Sequence, residues 1–80
     1  MTIPKELSTI LSSDPETMGG AICFTGTRIP VVILLDNVAA GVSIDEFYDG
    51  YPSLTPELVE PVLRWENNQA RRAMGLELVG

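Results

Sequence analysis

Helix start and stop signals recur closely between Pro30 and Pro56, and they limit this chain to short helices joined by tight turns until its last third. Val31, Leu34, Leu35 and Val38 fall at three- and four-residue steps, the period of one helix face. Gly41 follows, a residue suited to the left-handed position just past a helix end. The spacing predicts a first helix from Val31 to Ala40. Ser43 then opens a capping box that Glu46 completes, and Gly50 stands where the second helix should stop. That helix, Ile44 to Asp49, is expected to bury Ile44 and Phe47. Thr55 is a second N-cap, with Pro56 at the first helical position and Glu57 near the positive helix end. Leu58, Val59, Val62 and Leu63 form the inner face of the third helix. Pro61 removes one hydrogen bond and crowds the carbonyl of Glu57, so a kink is expected there.

Upstream the pattern is different. Residues 1–9 are a weak lead-in, and residues 12–20 are dense in turn formers, with room for one helical turn capped by Asp14. The apolar stretches 21–24 and 28–31 read as two short strands, joined by Thr25-Gly26-Thr27. Pro30 confines the second of them to a sheet edge. The chain is therefore expected to be mainly α: a small three-helix, helix-turn-helix-like domain with a short N-terminal β-hairpin and a C-terminal helical tail. After Leu63 the apolar stripe lapses at Glu66, Asn67 and Asn68. This divides the chain into a domain at 1–64 and an amphipathic tail at 65–80.

Eighty residues bury only about 60% of their unfolded surface, so stability needs a supplement. Cys23 is the single cysteine and there is no histidine, which excludes an internal disulfide and disfavours a zinc site. Oligomerisation or partner binding is what remains, and a homodimer at least is expected. The longest apolar run, 29–35, is far too short to span a bilayer, and no signal peptide is legible, so a cytoplasmic location without membrane contact is expected.

The net charge is −6, and its placement matters more than its size. Asp36, Asp45, Glu46, Asp49, Glu57 and Glu60 occupy the stretch 36–60, which holds no Lys or Arg. Such a block repels phosphate backbones. A helix-turn-helix reading of the second and third helices needs DNA-contacting groups early in the last helix, where this chain has Glu57 and Glu60.

Few residues could carry chemistry. Asp45 and Glu46 are adjacent acids, but first-turn helix positions explain them without a pocket. Cys23 has no histidine to activate it and reads as a small buried hydrophobe. No nucleophile–base pair, metal site or phosphate loop is present, so neither an enzymatic activity nor a cofactor is expected. Arg28 stands alone at the start of an apolar segment. It reads as an anchor that locks the hairpin onto the first helix or a dimer mate, with Asp36 a candidate partner. A phosphate or carboxylate contact is the competing reading. Trp65 with Arg64, Arg71 and Arg72 is the one cluster that is both basic and aromatic, the composition of an interface anchor.

Four pieces, "DPETMGG", "GTRIPV", "LLDNVAAGVSIDEF" and "YPSLTPELV", occur in an order and spacing that resemble the bacterial family catalogued as domain of unknown function 433. The resemblance covers residues 10 to about 63. Gly26, Thr27, Arg28, Pro30, Tyr51, Pro52 and Thr55 carry most of it. One departure is Ala21-Ile22, where the family usually has Lys-Pro. The resemblance implies a dimeric helical domain that serves as an antitoxin, in a VapB-like role, for a PIN-like ribonuclease toxin. PIN-type nucleases hold divalent metal in a cluster of acidic side chains, and an antitoxin can block that cluster with an arginine. Under this reading Trp65, Arg71, Arg72, Met74, Leu76 and Leu78 contact the partner, and residues 76–79 add as a strand to an exposed sheet edge. The alternative function is a helix-turn-helix transcriptional regulator that binds operator DNA as a dimer.

Overall fold

The computed structural model of the chain describes residues 2–16 and 18–76. A short 3-10 turn, Lys5–Leu7, delivers Leu7 to the core. Strand β1 (Leu11–Ser13) and strand β2 (Ile22–Phe24) then pair antiparallel, with Leu11 opposite Phe24, Ser12 opposite Cys23 and Ser13 opposite Ile22. Three helices follow: α1 (Val31–Ala39), α2 (Ile44–Gly50) and α3 (Pro56–Ala73). The architecture is the expected mainly helical one with an N-terminal antiparallel strand pair, but the strands are not the expected pair.

Residues 28–31 do not form the second strand. They contribute one bridge, Pro30 to Cys23, and one bond from the Phe24 amide to the Ile29 carbonyl at 3.1 Å. Pro30 has no N–H to extend a ladder, and α1 begins at the next residue. β1 takes the place instead. Leu11 is buried beside Phe24 on one face of the pair, the cross-strand contact that stabilises a short sheet. The loop between the strands is held by the Ser13 hydroxyl, which donates to the Gly20 carbonyl at 2.7 Å, and Glu16 N–H donates to the Asp14 carboxylate at 2.9 Å.

The turn after β2 is built by Thr27. Its amide donates to the Phe24 carbonyl at 3.0 Å, and its hydroxyl donates to the same oxygen at 2.8 Å. The hydroxyl also accepts from the Ile29 amide at 3.1 Å. Gly26 at φ 81° supplies the positive φ that a type II turn requires at its third residue.

α1 ends as the sequence predicts. Gly41 adopts φ 84°, its amide donates to Val38 at 3.0 Å, and the Val42 amide reaches Asn37 at 3.0 Å. This paired 5→2 and 6→1 bonding is a Schellman motif. α2 opens on Ser43, whose hydroxyl accepts from the Glu46 amide at 3.2 Å. α2 runs one residue beyond the expected Asp49, with Gly50 as its last helical residue and Tyr51 as its cap at φ −134°. Pro52 disfavours helical backbone at the residue before it. The Tyr51 ring also packs on Phe47 with centroids 5.0 Å apart.

α3 continues through Pro61 to Ala73. The proline removes the bond to the Glu57 carbonyl in the first turns, yet buried Val59 and Val62 on either side hold the helix to the core. Gly75 at φ 73° closes α3 with a second Schellman motif, its amide on Arg72 at 3.2 Å and that of Leu76 on Arg71 at 2.7 Å.

The core unites Leu7, Leu11, Phe24, Leu34, Phe47, Leu54, Val59 and Val62. Two expected inner residues lie outside it: Val38 is 42% exposed and Ile44 37% exposed. Leu34 turns directly inward, and Val38, four residues on, is carried past the edge of the buried face. Phe24 is fully buried, so Phe24→Ala is expected to cost about 3–5 kcal/mol, read as the loss in unfolding free energy in a urea titration.

Candidate functional site

Eighteen residues of α3 span about 27 Å, a large part of a molecule whose longest extent is 40 Å. Only the first half is covered. Trp65 marks the change: it is half-buried against the core, and its indole N–H donates to the Glu6 carboxylate at 3.3 Å. This contact ties the middle of α3 to the N-terminal turn. From Glu66 to Ala70 every residue is exposed.

The exposed half is basic. Trp65 and Arg72 lie seven residues apart, two helical turns, and therefore share a face. They line one shallow groove of about 180 Å³ with Arg64, Asn68, Pro61 and Glu6. A neighbouring groove of about 450 Å³ lies between Leu63, Asn67 and Arg71. Arg71 Nε donates to the Asn67 side-chain oxygen at 2.7 Å, which orients its guanidinium along the helix. Arg64 sits 3.6 Å from Glu60, an exposed pair worth well under about 1 kcal/mol. The Arg72 guanidinium makes no hydrogen bond or ion pair among the described residues. Met74 and Leu76 follow at 66% and 56% exposure. The structure thus places Trp65 at the middle of α3, Arg71 and Arg72 in its last turn, and Met74 and Leu76 just past its end. Leu78 lies outside the described residues, as does most of the expected strand at 76–79.

At the opposite pole of the charge map, Asp45, Glu46, Asp49, Glu57 and Glu60 are all exposed on α2 and the start of α3. Tyr48 lies among them with its hydroxyl buried and without a hydrogen-bond partner among the described residues. Burial raises the phenol's pKa above its ordinary value, and the carboxylates of Glu60, Glu57 and Asp45 raise it further. Sequence reasoning missed this residue, because the burial of one hydroxyl depends on how α2 meets α3.

Gly26, Thr27 and Arg28 of the "GTRIPV" motif line a separate groove of about 360 Å³ with Ser12, Asp14, Ala21 and Cys23. Arg28 is exposed and makes no hydrogen bond or ion pair among the described residues. The expected lock onto α1 is therefore not made within the chain, and Asp36 is not its partner. Thr27 makes the turn's bonds in its place. Cys23 is buried, with Sγ 3.6 Å from the Ala21 carbonyl. Tyr51 and Pro52 form the α2–α3 turn, closed by the Leu54 amide on the Tyr51 carbonyl at 2.9 Å. Thr55 caps α3 through its backbone carbonyl, not its side chain. Among the described residues no cluster of three acidic or cysteine side chains is placed to hold a metal ion, and no helix is long and apolar enough to cross a membrane.

The class defined by these features is a small three-helix domain with an N-terminal strand pair and a basic helical arm. Residues 11–65 match the family described as Protein of unknown function (DUF433), and the chain belongs to it. The uncharacterized protein y4eO of Sinorhizobium fredii is 38% identical over 50 residues, covering 62% of this chain and 23% of that protein. The chain thus spans about a quarter of the length of that relative. No solved structure matches it significantly. The family match ends at residue 65, so the exposed half of α3 lies beyond it.

Two outcomes follow for the residues placed here. Tyr48→Phe removes an unpaired buried hydroxyl and is expected to raise unfolding free energy by about 1 kcal/mol. The raised phenol pKa means that the unfolded chain loses this proton first, so wild-type stability should fall as pH rises from about 10. The variant should show less of that alkaline loss in urea titrations. Arg28→Ala is expected to stay within about 0.5 kcal/mol of wild type in the same assay, because no intrachain contact is lost.

Proposed function

We propose that this chain is an antitoxin-like binding protein that sequesters and inhibits a PIN-like ribonuclease through the exposed half of α3. The observation that carries this reading is the unpaired Arg72, set beside Arg71 and followed by exposed Met74 and Leu76, on an otherwise acidic chain. A nuclease that works with divalent metal concentrates carboxylates at its active site. An arginine on a helical arm is complementary to that cluster in charge and can bind a carboxylate through two parallel hydrogen bonds. Trp65, Met74 and Leu76 supply the apolar contact that an anchor needs around the charge. The arm does not require the partner in order to be helical. Arg71 and Arg72 lie in the last turn, where cations offset the negative end of the helix by about 0.3–1 kcal/mol.

The operator-binding alternative gains less support. The α2–α3 pair would have to approach DNA with exposed Glu57 and Glu60 leading, and α2 adds Asp45, Glu46 and Asp49 beside them. Each would meet phosphate with like charge.

The test is titration of a PIN-like ribonuclease encoded beside this chain with the full-length protein, reading RNA cleavage. The wild type should inhibit. Arg71→Glu with Arg72→Glu should weaken inhibition by about 100-fold or more while circular dichroism stays unchanged. Undiminished inhibition by the variant removes the arm from the interface. No inhibition by the wild type, together with retention of an operator fragment at moderate salt, favours the regulator.

A further inference from the structure

We propose that the groove on the outer face of the strand pair binds a small zwitterion of amino-acid or dipeptide size, its carboxylate held by Arg28 and its ammonium by Asp14. Successive side chains of a strand point to opposite faces. Leu11 and Phe24 oppose each other across the pair and turn to the core, so Ser12 and Cys23, opposed at the next register position, line the other face. Pro30 bridges Cys23 from the far side. Cys23 is buried yet stands apart from the core cluster, and it contributes to the groove. Asp14 and Ala21 lie where the pair opens into its loop. Thr27 and Arg28 lie beyond the other end of β2, in the turn that follows it.

The Arg28 guanidinium has no partner among the described residues, although the backbone that carries it is fixed. The amide and hydroxyl of Thr27 both donate to the Phe24 carbonyl, and the same hydroxyl accepts from the Ile29 amide. A cation on a braced turn has less freedom to lose on binding than one on a loose loop. The Ser12 hydroxyl likewise makes no hydrogen bond among the described residues. Two side chains with unused donors therefore line one groove. A guanidinium takes a carboxylate through two parallel hydrogen bonds, and a hydroxyl can add a third.

Charge selects the class of ligand. Arg28 and Asp14 are the charged residues that line the groove, one of each sign, on a chain of net charge −6. A phosphate group carries about −1.5 to −2 at pH 7, more than Arg28 offsets, and it meets Asp14 as a like charge. A simple carboxylate matches Arg28 but is still repelled by Asp14. A ligand that brings its own ammonium satisfies both. Asp14 already accepts from the Glu16 amide at 2.9 Å. A carboxylate offers about four acceptor sites, so it has capacity for an ammonium as well. Arg28 makes no ion pair with Asp14, which leaves space between the two charges for a ligand to enter. The groove of about 360 Å³ has room for roughly a dozen waters at about 30 Å³ each, enough for an amino acid or a dipeptide. The inference is independent of the nuclease reading, because this groove and the arginine arm of α3 are different surfaces.

The experiment titrates the isotope-labelled full chain with glycine, glycylglycine, acetate and inorganic phosphate in turn, at constant ionic strength, and follows amide shifts by NMR. Glycine or glycylglycine should give saturable shifts at Ser12, Cys23, Thr27 and Arg28, and bind at least about tenfold more tightly than acetate or phosphate. The tighter of the two sets the length of the ligand. Arg28→Gln should weaken that binding by about tenfold or more at an unchanged melting temperature, because no intrachain contact is lost. Asp14→Asn keeps an oxygen that can accept from the Glu16 amide, and should reduce binding of the zwitterion to the level of acetate. Arg72→Gln should bind like wild type. The proposal is overturned by the absence of a saturable shift with either zwitterion, by acetate or phosphate binding as tightly as they do, or by undiminished binding to Arg28→Gln.

Discussion

The fold depends on how the chain is held at Phe24. Its ring is fully buried, and its backbone is bonded on both sides. The amide donates to Ile29, and the carbonyl accepts from the amide and the hydroxyl of Thr27. Across the strand pair stands buried Leu11. One residue therefore joins the N-terminal segment, the Gly26-Thr27 turn and the approach to α1. With it in place, α1 starts at a fixed point beside the sheet, and Leu34 completes the contact from the helix side. The "GTRIPV" motif is chiefly the hardware of this junction, with Thr27 as its hydrogen-bonding centre, Gly26 as its positive-φ residue and Pro30 as the last residue before the helix.

A second constraint is electrostatic. All acids of the central block except Asp36 lie on α2 and the first turns of α3, and Arg71 and Arg72 lie in the last turn of the same long helix. α3 thus connects two poles of opposite charge. The acidic pole disfavours phosphate, and the basic pole suits a carboxylate-rich partner. Separating them along one rigid element keeps the poles from pairing with each other inside the chain, apart from the weak exposed contact between Arg64 and Glu60. α1 carries one charge, Asp36, and leaves Val32 and Val38 exposed.

Local signals in the sequence determined much of this protein. Gly41, Ser43, Gly50 and Thr55-Pro56 mark helix ends through backbone preferences that act within a few residues, and the helix ends they mark fall within a residue or so of them. Family membership was legible in the same way, because the "GTRIPV" and "YPSLTPEL" turns are local. The basic-aromatic composition of the distal α3 was legible too, since it is a matter of residue type. Tertiary structure decided what depends on distance. It made residues 11–13 the partner of β2, because Leu11 could share buried surface with Phe24 and Pro30 could not extend a ladder. It left Arg28 unpaired and Val38 exposed, and it enclosed the Tyr48 hydroxyl. Each of these is settled by which surfaces meet across the core, and a chain's residue spacing carries no record of that contact.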